Sequence, residues 1–307
     1  MIPLRNLFHI ELGEFTIGWF LLSVVLGGLL GAGIKYMFEV RLPESFKLRQ
    51  RIHENLRKYS YPLLQAASDV ELRIETILNQ GACRDWMSTE VINELRQRRG
   101  FLENTAEGMG YFYLSTLYVF ARYFAWVEIL KRETGFLDFP HGGKSRSFYK
   151  ILHRITNSFR YKELWPISKE EINQGRDAYH LYRHAQAALG EMMIIEEKGT
   201  LACISFKKFV DLYTSPDIAL ARPWLRNLEK YFEGLANIDA GDLNQVLEKR
   251  EYRILRLIAI QYWFYKLIQC LDPKFEKVQS RAAAHEEHIL SRLPLSYRNR
   301  VVELPLN

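Results

Sequence analysis

The stretch FTIGWFLLSVVLGGLLGAGI, from Phe15 to Ile34, decides the fold, because its 20 residues include no charged side chain. At a rise of about 1.5 Å per residue, a helix of this length matches the hydrocarbon core of a bilayer, which is about 30 Å thick. A buried helix would show a polar face, and the first 14 residues lack the basic start of a cleaved signal peptide. The sequence therefore predicts a transmembrane anchor over residues 15–38, preceded by a short extracytoplasmic tail over residues 1–14.

The basic residues on either side of the anchor predict its orientation. Arg5 precedes it, whereas the C-terminal flank carries Lys35, Arg41, Lys47, Arg49 and Arg51. Because positive flanks stay in the cytoplasm, we expect a single-pass protein of the inner (plasma) membrane with a cytoplasmic C-terminal domain. The three cysteines are far apart and form no disulfide framework, which agrees with a reducing compartment.

Small residues line one side of the predicted anchor. Gly27 and Gly31 form a GxxxG motif, and Gly28 and Ala32 repeat the spacing one position on. Such faces let two helices approach closely, so this face is a candidate for self-association. Glycine is also common in membrane helices in general, which leaves a second interpretation open.

Residues 44–292 are predicted to form an irregular helical bundle, which makes the fold class all-α. Apolar residues recur at helical spacing along most of this range, and the run from Gly110 to Leu130 is apolar enough to be a central helix buried on most sides. Pro62 is expected to end a juxtamembrane helix. The composition, with 48% hydrophobic and 13% aromatic residues, predicts a core rich in large rings.

The second half of the chain carries further local signals. We expect a helix that ends at about Glu197 and a turn at Lys198-Gly199. Ser205 is expected to cap the next helix. We expect no strand, because no segment alternates with period two over enough residues. Residues 293–307, with two prolines, are predicted to be an extended tail.

Polar residues inside the apolar helices are candidates for a pocket. Arg122 and Glu128 lie in the central aromatic helix, and Arg183, Gln186 and Glu191 lie in a later one. Buried ions need partners, so these residues either pair between helices or line a polar pocket. The sequence contains no P-loop, GxGxxG, GxSxG or kinase motif, and the catalytic residues stay unknown.

A metal site is a weaker hypothesis. His180 and His184 are four residues apart, so a helix would place them on one face with Glu191. Two histidines and a carboxylate suit zinc, but HLYRH lacks the glutamate of HExxH. Surface or half-buried histidines are the alternative, and we expect no cofactor.

One segment is strongly basic. Between residues 144 and 162 there are six basic residues and no acidic ones, namely Lys144, Arg146, Lys150, Arg154, Arg160 and Lys162. Aromatic residues are interleaved with them, so the segment suits an anionic lipid surface, an acidic protein or a single-stranded nucleic acid. Solvated charges on a helix that packs its rings inward are the alternative. The net charge of +6 is a weak signal for nucleic acid.

Three runs resemble a family of uncharacterised bacterial proteins that are commonly membrane-anchored. They are YPLLQAASDVELRIETIL (Tyr61–Leu78), STLYVFARYFAWVEILKRE (Ser115–Glu133) and LYRHAQAALGEMM (Leu181–Met193), and the resemblance covers roughly residues 60–275. It implies a bacterial or cyanobacterial origin and no function, so it assigns no role to any residue here.

These expectations favour a membrane-anchored helical interaction or effector module that self-associates, in a bacterial stress or phage-defence response. The expected partners are the lipid bilayer, a second copy of the chain and a protein that the sequence does not identify. Two alternatives are an enzyme with a polar pocket around Arg122, Glu128, Arg183 and Glu191, and a basic nucleic-acid-binding domain at the membrane.

Overall fold

The computed structural model of the chain describes residues 14–37, 39, 42–79, 87, 109–134, 143–160, 180–215, 222–235, 243–248, 252–278 and 286–303. Residues 1–13 of the predicted N-terminal tail and Lys162 lie outside these ranges. The chain divides into two compact units, Met1–Glu54 and Asn55–Asn307.

The first unit contains helix α1, Glu14–Tyr36, and the start of helix α2, Leu42–Asn79. In α1 the structure describes the side chains of Trp19 and of residues 22–36, and all of them are exposed. Within the part of the chain that the structure describes, no helix combines the length and the apolar character needed to cross a bilayer. The predicted transmembrane segment therefore has no support from the described residues.

Helix α2 continues through Pro62, so the predicted break at this residue is wrong. A proline inside a helix removes one hydrogen bond and crowds the preceding turn, at a cost of about 3 kcal/mol. The residues that follow, among them Leu63, Leu64 and Ala67, are almost fully buried against the rest of the second unit. Burial of this face offsets the local cost, which the sequence pattern alone did not show.

The second unit is mostly helical, as the all-α prediction requires. After α2 come α3 (Met109–Thr134), α4 (Gly143–Arg160), α5 (Arg183–Glu191), β1 (Ile194–Glu197), β2 (Thr200–Cys203), α6 (Phe206–Thr214), α7 (Arg222–Phe232), α8 (Leu243–Glu248), α9 (Tyr252–Leu271), α10 (Glu286–Ser291) and α11 (Leu295–Val302). Helices α3 and α9 are buried on nearly every side, which confirms the prediction of a central helix around Gly110–Leu130.

Large rings fill the space between these helices, as the composition predicts. Tyr123 of α3 meets Phe264 of α9 with ring centroids 4.5 Å apart, and Phe124 meets Phe159 of α4 at 5.3 Å. Both pairs are edge-to-face, an arrangement that adds about 1 kcal/mol to the burial of apolar area.

A two-stranded hairpin replaces the end of a predicted helix. The helix stops at Glu191, and β1 pairs with β2 in antiparallel register from Ile194 opposite Cys203 to Glu197 opposite Thr200. The two turn residues, Lys198 and Gly199, have φ angles of 52° and 73°. Positive φ at both positions is the geometry of a two-residue hairpin turn. The predicted turn is confirmed, but strands of four residues are too short to give a period-two signal.

The predicted extended tail over residues 293–307 is wrong, because α11 occupies Leu295–Val302. Pro294 precedes the helix and its carbonyl accepts the first backbone hydrogen bond, from Tyr297 at 2.9 Å. Proline suits the start of a helix, where its missing N–H is not needed. Val301 is fully buried, and its carbonyl accepts a hydrogen bond from Trp263 Nε1 at 3.1 Å. Packing against α9 therefore holds this short helix in place.

Candidate functional site

The glycine face of α1 is open. A Cβ atom added at Gly27, Gly28 or Gly31 would meet no heavy atom within 4 Å, and the same holds at Gly33. Ala32, the remaining member of the predicted face, is also exposed. Side chains at these positions can therefore be enlarged without a clash inside the chain.

Four of the five predicted pocket residues have separate polar contacts. Arg122 Nη1 lies 2.8 Å from Asp69 Oδ2, which joins α3 to α2. Glu128 pairs with Lys131 in the same helix, Glu191 Oε1 lies 3.0 Å from Arg132 Nη2, and Arg183 is exposed. The Gln186 amide donates to the carbonyls of Thr156, at 3.0 Å, and Leu181, at 2.8 Å. Arg122, Gln186 and Glu191 thus take part in contacts between helices, which was the first of the two alternatives. A pocket shared by the five residues stays a prediction.

The two candidate metal ligands do not share a helix face. His180 precedes α5, which begins at Arg183, so only His184 is helical and it is exposed. His180 is buried, and its Nε2 lies 3.2 Å from Arg256 Nη2. Among the described residues, no group of three or more His, Cys, Asp or Glu side chains could hold a metal ion.

The predicted basic segment forms α4 and the residues after it. Arg146 and Lys150 are exposed, whereas the side chain of Lys144 is not among those described. Arg154 lies over the ring of Trp263, with its guanidinium carbon 4.7 Å from the centroid, and donates to the carbonyl of Val302. Arg160 Nε donates to Asn157 Oδ1 at 2.8 Å. Two of the described basic residues therefore have packing contacts inside the fold, and two are free to meet solvent or a partner.

A cavity of about 410 Å³ lies between α2, α3 and α6. Its walls include Asp69, Leu72 and Arg73 of α2, Tyr111 and Tyr118 of α3, and Phe206 of α6. It reaches solvent beside Leu72 and Tyr111, which are 52% and 56% exposed. The Phe206 ring lies 5.3 Å from the Tyr111 ring, at an interplanar angle of 77°, and 5.3 Å from the Tyr118 ring, at 68°.

Charged groups lie beside these rings. Arg73 Nη1 donates to the Phe112 carbonyl and to Thr116 Oγ1, at 3.2 Å each, and the guanidinium carbon lies 4.3 Å from the centre of the Phe112 ring. Burial raises the pKa of Asp69, although the charges of Arg122 and Arg73 oppose the rise. The cavity therefore places a corner of two rings near a guanidinium that is held by hydrogen bonds and by stacking on Phe112.

A second polar cluster joins distant parts of the chain. The Gln261 amide donates to Glu71, at 3.2 Å, and to Glu75, at 2.6 Å, and Arg292 binds Glu75 through two nitrogens at 2.9 and 3.1 Å. Burial opposes the ionisation of Glu75, but hydrogen bonds from Arg292, Gln261 and Asn79 lower its pKa from 4.5 to about 2. Burial raises the pKa of the neighbouring Glu71. The two carboxyl groups, one helical turn apart, thus differ in acidity because only Glu75 has a bidentate cation.

We expect Glu75→Gln to lower the free energy of unfolding at pH 7 by about 2 kcal/mol, because it removes the charged partner of Arg292. The lowered pKa means that ionised Glu75 stabilises the fold fully above pH 4.5, and that this contribution is lost as the pH falls towards 2. The difference between wild type and variant should therefore shrink between pH 5 and pH 3, as measured by urea unfolding. Glu71 has the opposite effect on the pH dependence of stability. Its pKa is raised, so its protonation at lower pH removes a buried charge and favours the folded state.

The matched control is Glu197→Gln, in which the carboxylate is 63% exposed and 3.9 Å from Lys208. It should change the free energy of unfolding by less than about 0.5 kcal/mol. Equal effects of the two substitutions, or a Glu75→Gln effect that does not depend on pH, would show that the Arg292 contact does not stabilise the fold.

Sequence reasoning missed both clusters. Asp69 and Arg73 are four residues apart on one helix, and this spacing was a usable signal for two opposite charges on one helix face. No local pattern links them to Phe206. Likewise nothing near Glu75 points to Arg292, which lies 217 residues away.

The segments that carry the sequence resemblance are helical at their centres. Tyr61–Leu78 belongs to α2, Ser115–Glu133 to α3, and Leu181–Met193 contains α5. Their apolar residues form much of the core of the second unit, so packing explains the residue types found there. Comparisons of the chain with models of known protein families, with curated proteins and with solved structures give no match.

Proposed function

We propose that this protein is a membrane-anchored helical module that self-associates through the glycine face of its N-terminal helix. The observation that carries the proposal is the character of α1. Its described side chains are exposed, and those between Leu22 and Ile34 are apolar or small except for Ser23. Exposed apolar surface of this extent needs a lipid or protein partner.

The full uncharged run supports a bilayer as the first partner. Residues 15–34 carry no charge, and lysine and arginine are concentrated after the run rather than before it. This distribution favours a cytoplasmic second unit and an inner (plasma) membrane location. In a bilayer the apolar face gains nothing by burial against another helix, so close packing of small residues becomes the main source of association.

The glycines support a second copy of the chain as the other partner. Gly27, Gly28, Gly31 and Ala32 lie on one side of α1, and the space beyond the three glycines is open. A stress or phage-defence role is an extension of this architecture, in which assembly at the membrane would bring several second units together. A further protein partner and a signal that triggers assembly are part of the same proposal. Both depend on self-association, which the experiment below tests.

We expect Gly31→Leu to weaken self-association of the full chain at least tenfold. The leucine side chain would keep two glycine faces apart, and a loss of about 1.4 kcal/mol already corresponds to a tenfold change. The measurement is the mass of the full chain in mild detergent, followed by sedimentation over a range of protein-to-detergent ratios.

Gly33→Leu is the matched control. Two residues turn a helix by about 200°, so Gly33 lies opposite Gly31, and it too has open space around it. Both variants gain the same helix propensity. A monomeric wild type, or equal behaviour of the two variants, would contradict self-association through this face. Release of the wild-type chain from membranes by alkaline washing would contradict the anchor itself.

A further inference from the structure

We propose that the outward side of α4 binds the anionic phospholipid headgroups of a bilayer through Arg146, Lys150 and Arg154. This assignment rests on the proposed function, which keeps the second unit beside a membrane, and it adds a second contact with lipid to the one made by α1. The spacing of the three cations, the nature of their partners and the burial of the neighbouring rings support it.

The three cations form a row along one side of α4. Adjacent members of the row are four residues apart, so about one helical turn separates them and the row is about 12 Å long. Phe148 and Leu152, about 200° around the helix from Lys150, are buried. The apolar side of α4 thus holds the helix in the fold, and the opposite side presents the exposed Arg146 and Lys150 to solvent.

None of the three cations has a carboxylate partner among the residues that the structure describes. Arg146 and Lys150 are exposed and make no ion pair there. Arg154 donates to the Val302 carbonyl and lies over the Trp263 ring, so both of its partners are neutral. The sequence of α4 contains no acidic residue. The row therefore offers positive charge that an anionic surface can balance.

Two acidic residues near Arg154 do not cancel the charge of the row. Glu286 pairs with Lys266. Glu303 is exposed and follows the residue whose carbonyl Arg154 binds, but the exposed Arg300 on the same side of the fold offsets its charge. The surface at this end of the row thus adds no net negative charge.

The burial of the rings favours lipid over a single-stranded nucleic acid. Phe148 and Phe159 are buried, and Tyr149 is half-buried with its ring centroid 5.2 Å from that of Phe148. Rings that pack inward leave little surface for base stacking, on which binding of single strands depends. An anionic bilayer needs only the charges, and each basic residue near such a surface strengthens binding about fivefold.

The test uses the full chain in lipid nanodiscs made of phosphatidylcholine, so that α1 is already in lipid of no net charge. The discs are mixed with vesicles of phosphatidylcholine, or of equal parts phosphatidylcholine and phosphatidylglycerol, and the bound fraction is measured by vesicle flotation. We expect the discs to bind the vesicles that contain phosphatidylglycerol at least tenfold more tightly, and raised salt to remove the difference. Discs without protein supply the blank.

Two double variants separate the position of the charges from their number. Arg146→Gln with Lys150→Gln should weaken binding to the phosphatidylglycerol vesicles at least tenfold, because it removes two cations of the row. Lys207→Gln with Lys208→Gln, on α6, removes the same charge from side chains that are 85% and 60% exposed. This control should leave the affinity nearly unchanged.

Three results would overturn the assignment of the row to lipid. They are equal binding of the discs to both kinds of vesicle, equal effects of the two double variants, and tighter binding of a single-stranded oligonucleotide than of the phosphatidylglycerol vesicles. A chain that does not enter the discs contradicts the anchor instead. That chain is mixed with the same vesicles directly, and the two double variants decide on the row as before, so the two failures are distinguishable.

Discussion

Replacement of Gly190 by valine is expected to lower the free energy of unfolding by about 3 kcal/mol or more. A Cβ atom at this position of α5 would lie 2.6 Å from the Phe124 carbonyl oxygen, 2.8 Å from its carbon and 3.0 Å from Glu128 Cγ. Two of these atoms are backbone of the buried helix α3, which cannot move away as a flexible side chain can. The helices must therefore separate locally, and the core between them loses contacts.

The smaller change Gly190→Ala gives a sharper test. Alanine favours a helix over glycine by about 1 kcal/mol, so propensity alone predicts stabilisation, whereas the close contact predicts a net loss of about 2 kcal/mol. Ala187→Gly, in the same helix, is the control and should cost about 1 kcal/mol through propensity. The measurement is thermal unfolding followed by circular dichroism at 222 nm. A rise in stability for Gly190→Ala would show that α3 and α5 are not as close as described.

Phe120→Ala is expected to cost about 3–5 kcal/mol, because the ring is fully buried where three helices meet. Its centroid lies 5.0 Å from that of Phe232 in α7 and 6.1 Å from that of Phe159 in α4. Deletion of the ring removes its burial and leaves a cavity that rigid helices fill only in part. Urea unfolding at pH 7 gives the change in the free energy of unfolding.

The control lies nine residues earlier on the same helix, at Tyr111, which is 56% exposed. Tyr111→Ala should cost about 1 kcal/mol or less, since little of its area is removed from water. The loss in the free energy of unfolding for Phe120→Leu should lie between those for Phe120→Ala and Tyr111→Ala. A Phe120→Ala cost as small as that of Tyr111→Ala would mean that the aromatic cluster is not the packed core described above.

Part of the fold follows from local chemistry, and the sequence predicted it. Apolar residues located the central helix α3. Ser205 was predicted to cap α6, and its hydroxyl accepts a hydrogen bond from the Lys208 N–H at 3.3 Å. The Lys198-Gly199 turn was also predicted from local sequence and is also present in the structure. Each depends on residues within a few positions of one another, so a short stretch of sequence contains the whole cause.

For the candidate sites, too, the sequence predicted some features and tertiary packing decided the others. The sequence indicated that Arg122, Gln186 and Glu191 would need polar partners, because burial of such groups without partners is costly. It did not indicate which partners. Asp69 and Arg132 became partners only when α2, α3 and α5 packed together. Histidine spacing predicted a common helix face for His180 and His184, and the start of α5 at Arg183 removed it.

The sequence by itself determined the uncharged run of residues 15–34, the all-α class and the position of the central helix α3, because spacing and charge along the chain are sufficient for these. Only the tertiary structure decided that α2 passes through Pro62, that residues 295–302 form a helix, that Glu75 meets Arg292, and that Arg73 and Phe206 line one cavity. These features arise from packing between residues far apart in the chain. The free energy of this packing outweighs local preferences of about 1–3 kcal/mol, and no local sequence pattern predicts it.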